Sequence, residues 1–193
     1  MLGWAHIAGY LHMTIQMEVL IETLKNLSSD IRWFFCNIFS TQYPTMSAIT
    51  YGESAAFFYW KSDSLKEYWD WILNALIWLE DDGKGHITEL IVDDGVDTTL
   101  LIHQGYKEDD LFLKDGTIHE PRSTDNNEFN IVQTTIKRQL ESGETDKRNK
   151  IANTCMGVSE DTSTGVNHLY TMDNTCIKHQ KWERMRTEAT CAK

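Results

Sequence analysis

Three short groups of side chains in this sequence could do chemistry: His12, Thr14 and Gln16; Asp93, Asp94 and Asp97; and Glu160, Asp161, Thr162, Ser163 and Thr164. Each lies at the end of a short apolar run. Carboxylates and hydroxyls brought together suit a ribose, whose vicinal hydroxyls need acceptors and donors at once. A small polar ligand such as a nucleoside is therefore one reading. The competing reading is that Thr and Asp at such places simply cap helices, and for any single group the two are evenly matched. Three groups at one sheet edge favour the ligand.

Other chemistries have less support. The Asp93-Asp94 pair offers the oxygen ligands that Mg²⁺ or Ca²⁺ prefer, but no ligand-spacing motif surrounds it, so no metal site is expected. Seven histidines are present without an HExxH or a Cys/His zinc pattern. No GxSxG elbow occurs, and Cys36, set in an apolar run, reads as a core thiol.

The elements that must position these groups alternate between strand and helix. Ile7, Ala8 and Leu11 suit a buried strand, and Met13, Met17, Leu20, Leu24 and Leu27 then recur on one helix face. In parallel α/β folds, strand carboxyl ends and helix amino ends form the ligand-facing edge, because unpaired helix N–H groups point outward there. Ile31 to Phe39 reads as strand two, with Ser40, Thr41 and Gln42 ending it at the same edge. Tyr43-Pro44 can open a helix. Ala55 to Trp60 is strand three, followed by N-cap candidates Ser62, Asp63 and Ser64. Leu65, Trp69, Ile72, Leu76 and Leu79 then mark a helix, widened by Tyr68, Trp71 and Trp78. A Gly-punctuated turn over 80–85 precedes strand four, Glu89 to Asp94. Thr98 to His103 reads as a short helix. The composition then shifts to a charged stretch over 106–150, a helical insertion with Phe129, Val132, Ile136 and Leu140 on one stripe. Cys155 to Ser159 supplies strand five, Gly165 to Met172 a short helix, and residues 173–193 a divergent tail without a sustained period. The expected fold is α/β: a Rossmann-like three-layer domain with a mainly parallel sheet, helices on both faces and a helical insertion.

The 193 residues fit one domain, and a hydrophobic content of 41% is enough for a real core. A formal charge of −11 offers no basic stripe to displace counterions from phosphate, which argues against nucleic acid as a partner. Cys36, Cys155, Cys176 and Cys191 are too few and too scattered for a secreted disulfide scaffold. No apolar run approaches the roughly 18 residues of a membrane span, and no secretory leader pattern opens the chain. A cytoplasmic protein without a membrane partner is the expectation.

The stretches GYLHMTIQMEVLIETL, NIFSTQ, LIVDDGVDTTLLIH and GVSEDTSTGVNHLYTM, in that order, resemble the substrate-binding half of S-adenosylhomocysteine hydrolase (adenosylhomocysteinase). The resemblance runs from about Gly3 to Met172, and residues 1–172 are taken as that domain. The stretch STDNNEFNIVQTTIKRQLESG resembles the insertion of plant and bacterial branches. The family's NAD-binding domain, with its Gly-rich fingerprint, is not among these residues, which suggests a truncated or degenerate copy.

What the resemblance implies is specific. Enzymes similar to this use NAD to oxidise the ribose 3′-hydroxyl of S-adenosylhomocysteine, eliminate homocysteine, add water and return the hydride, releasing adenosine in one-carbon (methyl-cycle) metabolism. By motif position Thr14, Asp94 and Asp161 would contact the adenosine and Gln16 would lie by the adenine. His12 and Asp94 would do general acid/base work. Thr162, Ser163 and Thr164 would reach NAD. Asp161 stands where the family has Glu, Val96 where it has the second Gly of DDGGD, and Tyr43-Pro44 where it has Asp-His. The family's Lys and Asp-Asn beyond Met172 have no counterpart. The resemblance thus implies an adenosylhomocysteinase-like chain, inactive in isolation. The alternative is a non-catalytic nucleoside-binding or interaction module that associates with full-length relatives.

Overall fold

The computed structural model describes residues 5–34, 47, 50–52, 55–58, 65–78, 85–121, 127–143 and 145–175. Expectations for Cys36, for Ser40 to Pro44, for Ser62 to Ser64 and for the tail beyond 175 lie outside the described residues.

The central sheet begins with β1 (His6–Tyr10), whose residues from Ile7 on are all buried. A strand covered on both faces must be apolar throughout rather than alternating, and this one is. β2 (Asp30–Phe34), β3 (Ala56–Phe58), β6 (Leu90–Asp93) and β7 (Gly157–Glu160) complete a five-stranded sheet in the order β3-β2-β1-β6-β7. All four pairings are parallel. β4 (Ile77–Trp78) and β5 (His86–Ile87) form a separate antiparallel pair. That pair replaces the expected end of the second helix, so Leu76 lies in a turn beyond the helix.

Helices cover both faces. On one, α1 (Ile15–Asn26) packs through Ile21 against Leu11, Met13, Ile31 and Trp33. The other carries the main core, where Ala8, Tyr10, Phe34, Ile91 and Val158 of the sheet meet four helices. These are α2 (Leu65–Ala75), α3 (Asp97–Asp115), α4 (Asn127–Glu141) and α5 (Lys147–Thr154). α6 (Ser163–Thr175) follows β7. The α/β, Rossmann-like expectation is met.

α3 is far longer than the short helix read from Thr98 to His103. The charged residues from Tyr106 onward do not end it, because its buried stripe continues through Gly105 to Asp109. It stops at Gly116, which takes the left-handed conformation (φ 75°) and donates its N–H to Phe112 O at 2.8 Å. The stripe of α4 is real: Val132, Ile136 and Leu140 are buried in the main core. Among the described residues no helix is long and apolar enough to cross a membrane.

Candidate functional site

Numbered among the five strands of the main sheet, the order is 3-2-1-4-5, so the chain reverses direction across the sheet between β1 and β6. Ligands of doubly wound sheets bind in the crevice outside the strand carboxyl ends at this point. His12 follows β1 and Asp94 follows β6, and His12 Nε2 lies 3.2 Å from Asp94 Oδ2. The Asp94 side chain is 9% exposed and that of His12 43%, so the pair has one sheltered and one open member.

Thr14 is the N-cap residue of α1, yet its side chain makes no capping bond. The helix is closed there by backbone alone, Glu18 N–H to Thr14 O at 3.1 Å. For this threonine the capping alternative fails, and its half-buried hydroxyl remains for another donor or acceptor. Gln16 is exposed in the first turn of the same helix.

The turn after β6 is built on two buried carboxylates. Asp93 Oδ2 accepts from the N–H and hydroxyl of Thr99 at 3.0 and 2.8 Å, and Oδ1 accepts from Asp94 N–H at 3.2 Å. Complete burial pushes the Asp93 carboxyl up to about 7; the Thr99 bonds oppose the rise, and the nearby Glu160 and Asp97 charges add to it. Glu160, in register with Asp93 on β7, is 2% exposed. Its Oε1 accepts from Gly95 N–H at 3.0 Å, Thr162 N–H at 2.9 Å and the Thr162 hydroxyl at 2.7 Å. Asp97 receives the phenolic hydroxyls of Tyr10 and Tyr68, both at 3.0 Å.

At the third group, Thr162 behaves as a helix cap: its Oγ1 accepts from Gly165 N–H at 3.0 Å. Asp161, Ser163 and Thr164 are exposed at the start of α6, and Asp161 N–H bonds Asp93 O at 3.0 Å, so β7 and β6 end side by side. The fold thus unites His12 with Asp94 and ties the β6 turn to the start of α6. Among the described residues no three His, Cys, Asp or Glu side chains are arranged to hold a metal ion.

Sequence reasoning grouped Asp93, Asp97 and Glu160 with the site but gave them no separate role; it read Tyr68 as part of an apolar helix face and assigned nothing to Tyr10. No spacing signal marks them; the partners of Tyr10 and Glu160 lie 87 and 65 residues away.

The family model for S-adenosyl-L-homocysteine hydrolase matches residues 1–179. Adenosylhomocysteinase of Triticum aestivum is 48% identical over 171 residues, 89% of this chain and 34% of that protein. Adenosylhomocysteinase of Solanum lycopersicum is 49% identical over 168 residues, 87% of this chain and 33% of that protein. The chain therefore spans about a third of the length of these curated relatives. Since the family model covers nearly the whole sequence, this chain belongs to the S-adenosyl-L-homocysteine hydrolase family.

Proposed function

We propose that this chain forms the adenosine-binding part of an adenosylhomocysteinase-type site, serving the reversible hydrolysis of S-adenosylhomocysteine to adenosine and homocysteine in cytoplasmic one-carbon metabolism. The observation that carries this is the His12–Asp94 contact at the crevice where the sheet reverses. A carboxylate sheltered beside an imidazole can hold a proton between them and pass it to a leaving sulfur or take one from an incoming water. Thr14, with its hydroxyl free of capping, and Asp94 and Asp161 would hold the adenosine, with Gln16 by the adenine.

The residues at the start of α6 fit NAD in part. Thr162 donates its hydroxyl proton to Glu160 and accepts from Gly165, so it retains one lone pair for a ligand hydroxyl. Ser163 and Thr164 are exposed and offer both donor and acceptor. The chemistry NAD supplies when bound is removal and return of a hydride at the ribose 3′ carbon. Neither carboxylates nor imidazole can replace that, so the chain on its own is expected to bind adenosine without turning over substrate. Exposed Ile15 and Val19, one turn apart on α1 beside this edge, favour a second reading: a non-catalytic nucleoside-binding module that docks on full-length relatives.

Calorimetric titration of the folded chain with adenosine, with and without NAD, tests the first reading. Saturable binding abolished by Asp94→Ala is expected. A chain that melts cooperatively yet binds no adenosine would overturn it. Co-purification with an intact adenosylhomocysteinase would favour the second.

A further inference from the structure

We propose that Glu160 is a positioning residue for this site, fixing the turn that carries Asp94 and the first turn of α6 on a single carboxylate oxygen. Its functional consequence rests on the adenosine reading above.

The geometry is concentrated on one atom. Oε1 accepts Gly95 N–H from one side, and Thr162 N–H and Oγ1–H from the other. Gly95 immediately follows Asp94, and Thr162 immediately precedes Ser163 and Thr164. The spacing between the acid/base group and the hydroxyls of α6 is therefore held by Glu160 together with the Asp161 N–H to Asp93 O bond. Gly165 makes this arrangement possible: a β-carbon there would overlap the Glu160 carboxylate, so the acid is wedged against α6 only because that residue has no side chain.

A plain structural tie would not need this arrangement. Among the described residues the buried Glu160 Oε2 has no hydrogen-bond partner, and Asp93 lies in register beside it on the neighbouring strand. A buried oxygen left without a donor, next to a second buried carboxylate, is unfavourable and calls for an explanation beyond packing. What the carboxylate supplies over a neutral group is strength, since charge-assisted bonds to N–H and O–H groups are about twice as strong as neutral ones. Three donors on one oxygen need that charge.

The test uses the whole chain with Glu160→Gln, which keeps one acceptor oxygen and removes the charge. Gly165→Ala is the second variant; it displaces the carboxylate without altering it. Amide hydrogen exchange at Gly95 and Thr162 is expected to speed up about tenfold in both, with a cooperative melt retained. Adenosine affinity is expected to fall about tenfold. In a double-mutant cycle, the losses of Asp94→Asn and Glu160→Gln should be less than additive, because part of the effect of Glu160 passes through the turn that carries Asp94. Unchanged exchange at Gly95 and Thr162 in both variants would overturn the proposal, as would fully additive losses in the cycle. If the unsubstituted chain binds no adenosine, the adenosine reading fails, and the exchange rates at Gly95 and Thr162 still decide whether Glu160 holds the two turns together.

Discussion

Asp93 and Glu160 face each other in register on neighbouring parallel strands, and both are buried at the carboxyl edge of the sheet. Each carboxylate organises a turn. Asp93 fixes the start of α3 through Thr99, and Glu160 fixes Gly95 and Thr162. The buried Asp93 makes the fold sensitive to pH, in a direction that can be worked out.

Burial raises Asp93 from an ordinary aspartate value to about 7, whereas His103, buried on α3 near Lys107, is lowered to about 4. Between pH 4 and 6.5 the folded chain holds the Asp93 proton that the unfolded chain releases, so this acid makes stability fall as pH rises. His103 does the reverse: the unfolded chain binds its proton and the folded chain does not, so stability rises with pH. The two slopes oppose one another over this range, and from 6.5 to about 7 only the Asp93 loss continues. Asp93→Asn should unmask the His103 slope, making the variant's stability rise relative to the parent by up to about 1.4 kcal/mol per pH unit. Urea melts at pH 5 and 6.5 measure this, and parallel profiles would rule it out.

Val96 occupies left-handed backbone, φ 74°, as the N-cap residue of α3, and is 2% exposed. A β-branched residue there carries strain of about 1–3 kcal/mol, offset by about 1.5–3 kcal/mol from burying its side chain. Val96→Ala loses burial and keeps most of the strain, while Val96→Gly loses burial and relieves it. The glycine variant should therefore be the more stable of the two by about 1 kcal/mol, the reverse of the order at ordinary positions. Thermal melts of the pair would expose an error through the usual order, alanine above glycine.

Much of this was legible in the sequence, and the parts that were not share a cause. The five main strands and the polar ends of β1, β6 and β7 follow from local apolar runs and the residues that stop them. The β4–β5 pair did not, because two-residue strands leave no period to read. The full length of α3 was hidden by its charged residues, of which Asp109 is buried because it meets Arg148. The pairing of His12 with Asp94 depends on β1 lying beside β6, a relation of topology rather than spacing. Thr14 and Thr162 look alike as cap candidates, and only the structure shows that the second caps while the first does not.

Cys155 is buried at the end of α5, where its thiol donates to Gly157 O at 3.3 Å and burial pushes it up to about 11. Since only the thiolate is nucleophilic, Cys155 should resist iodoacetamide at pH 8 in the native chain and react on addition of urea. Peptide mass mapping before and after denaturation would show this, and rapid native labelling of Cys155 would contradict it.

Arg148 and Asp109 are both wholly buried, and the pair joins α5 to α3. The Asp109 carboxylate takes Arg148 Nε at 3.1 Å and Nη2, and also receives the backbone N–H groups of Arg148 and Asn149 at 3.1 and 3.2 Å, so it closes the amino end of α5 from another helix. Gln139 of α4 accepts from Nη1, which brings three helices onto one guanidinium. Gly105 lies so close to the Arg148 side chain that any β-carbon would overlap it. Burial raises the Asp109 carboxyl and the guanidinium opposes the rise, so removing the arginine leaves an acid without its counter-charge. Arg148→Met should destabilise the fold by about 3–5 kcal/mol, whereas Arg148→Met/Asp109→Leu should recover much of that loss, since a buried pair contributes little net stability over apolar residues of similar volume. The residual deficit of the double variant comes from the α5 amides that Asp109 no longer accepts, about 1–3 kcal/mol. Urea denaturation of the two variants decides the matter: a double variant no more stable than Arg148→Met alone would show that the unpaired Asp109 charge is not the source of the loss.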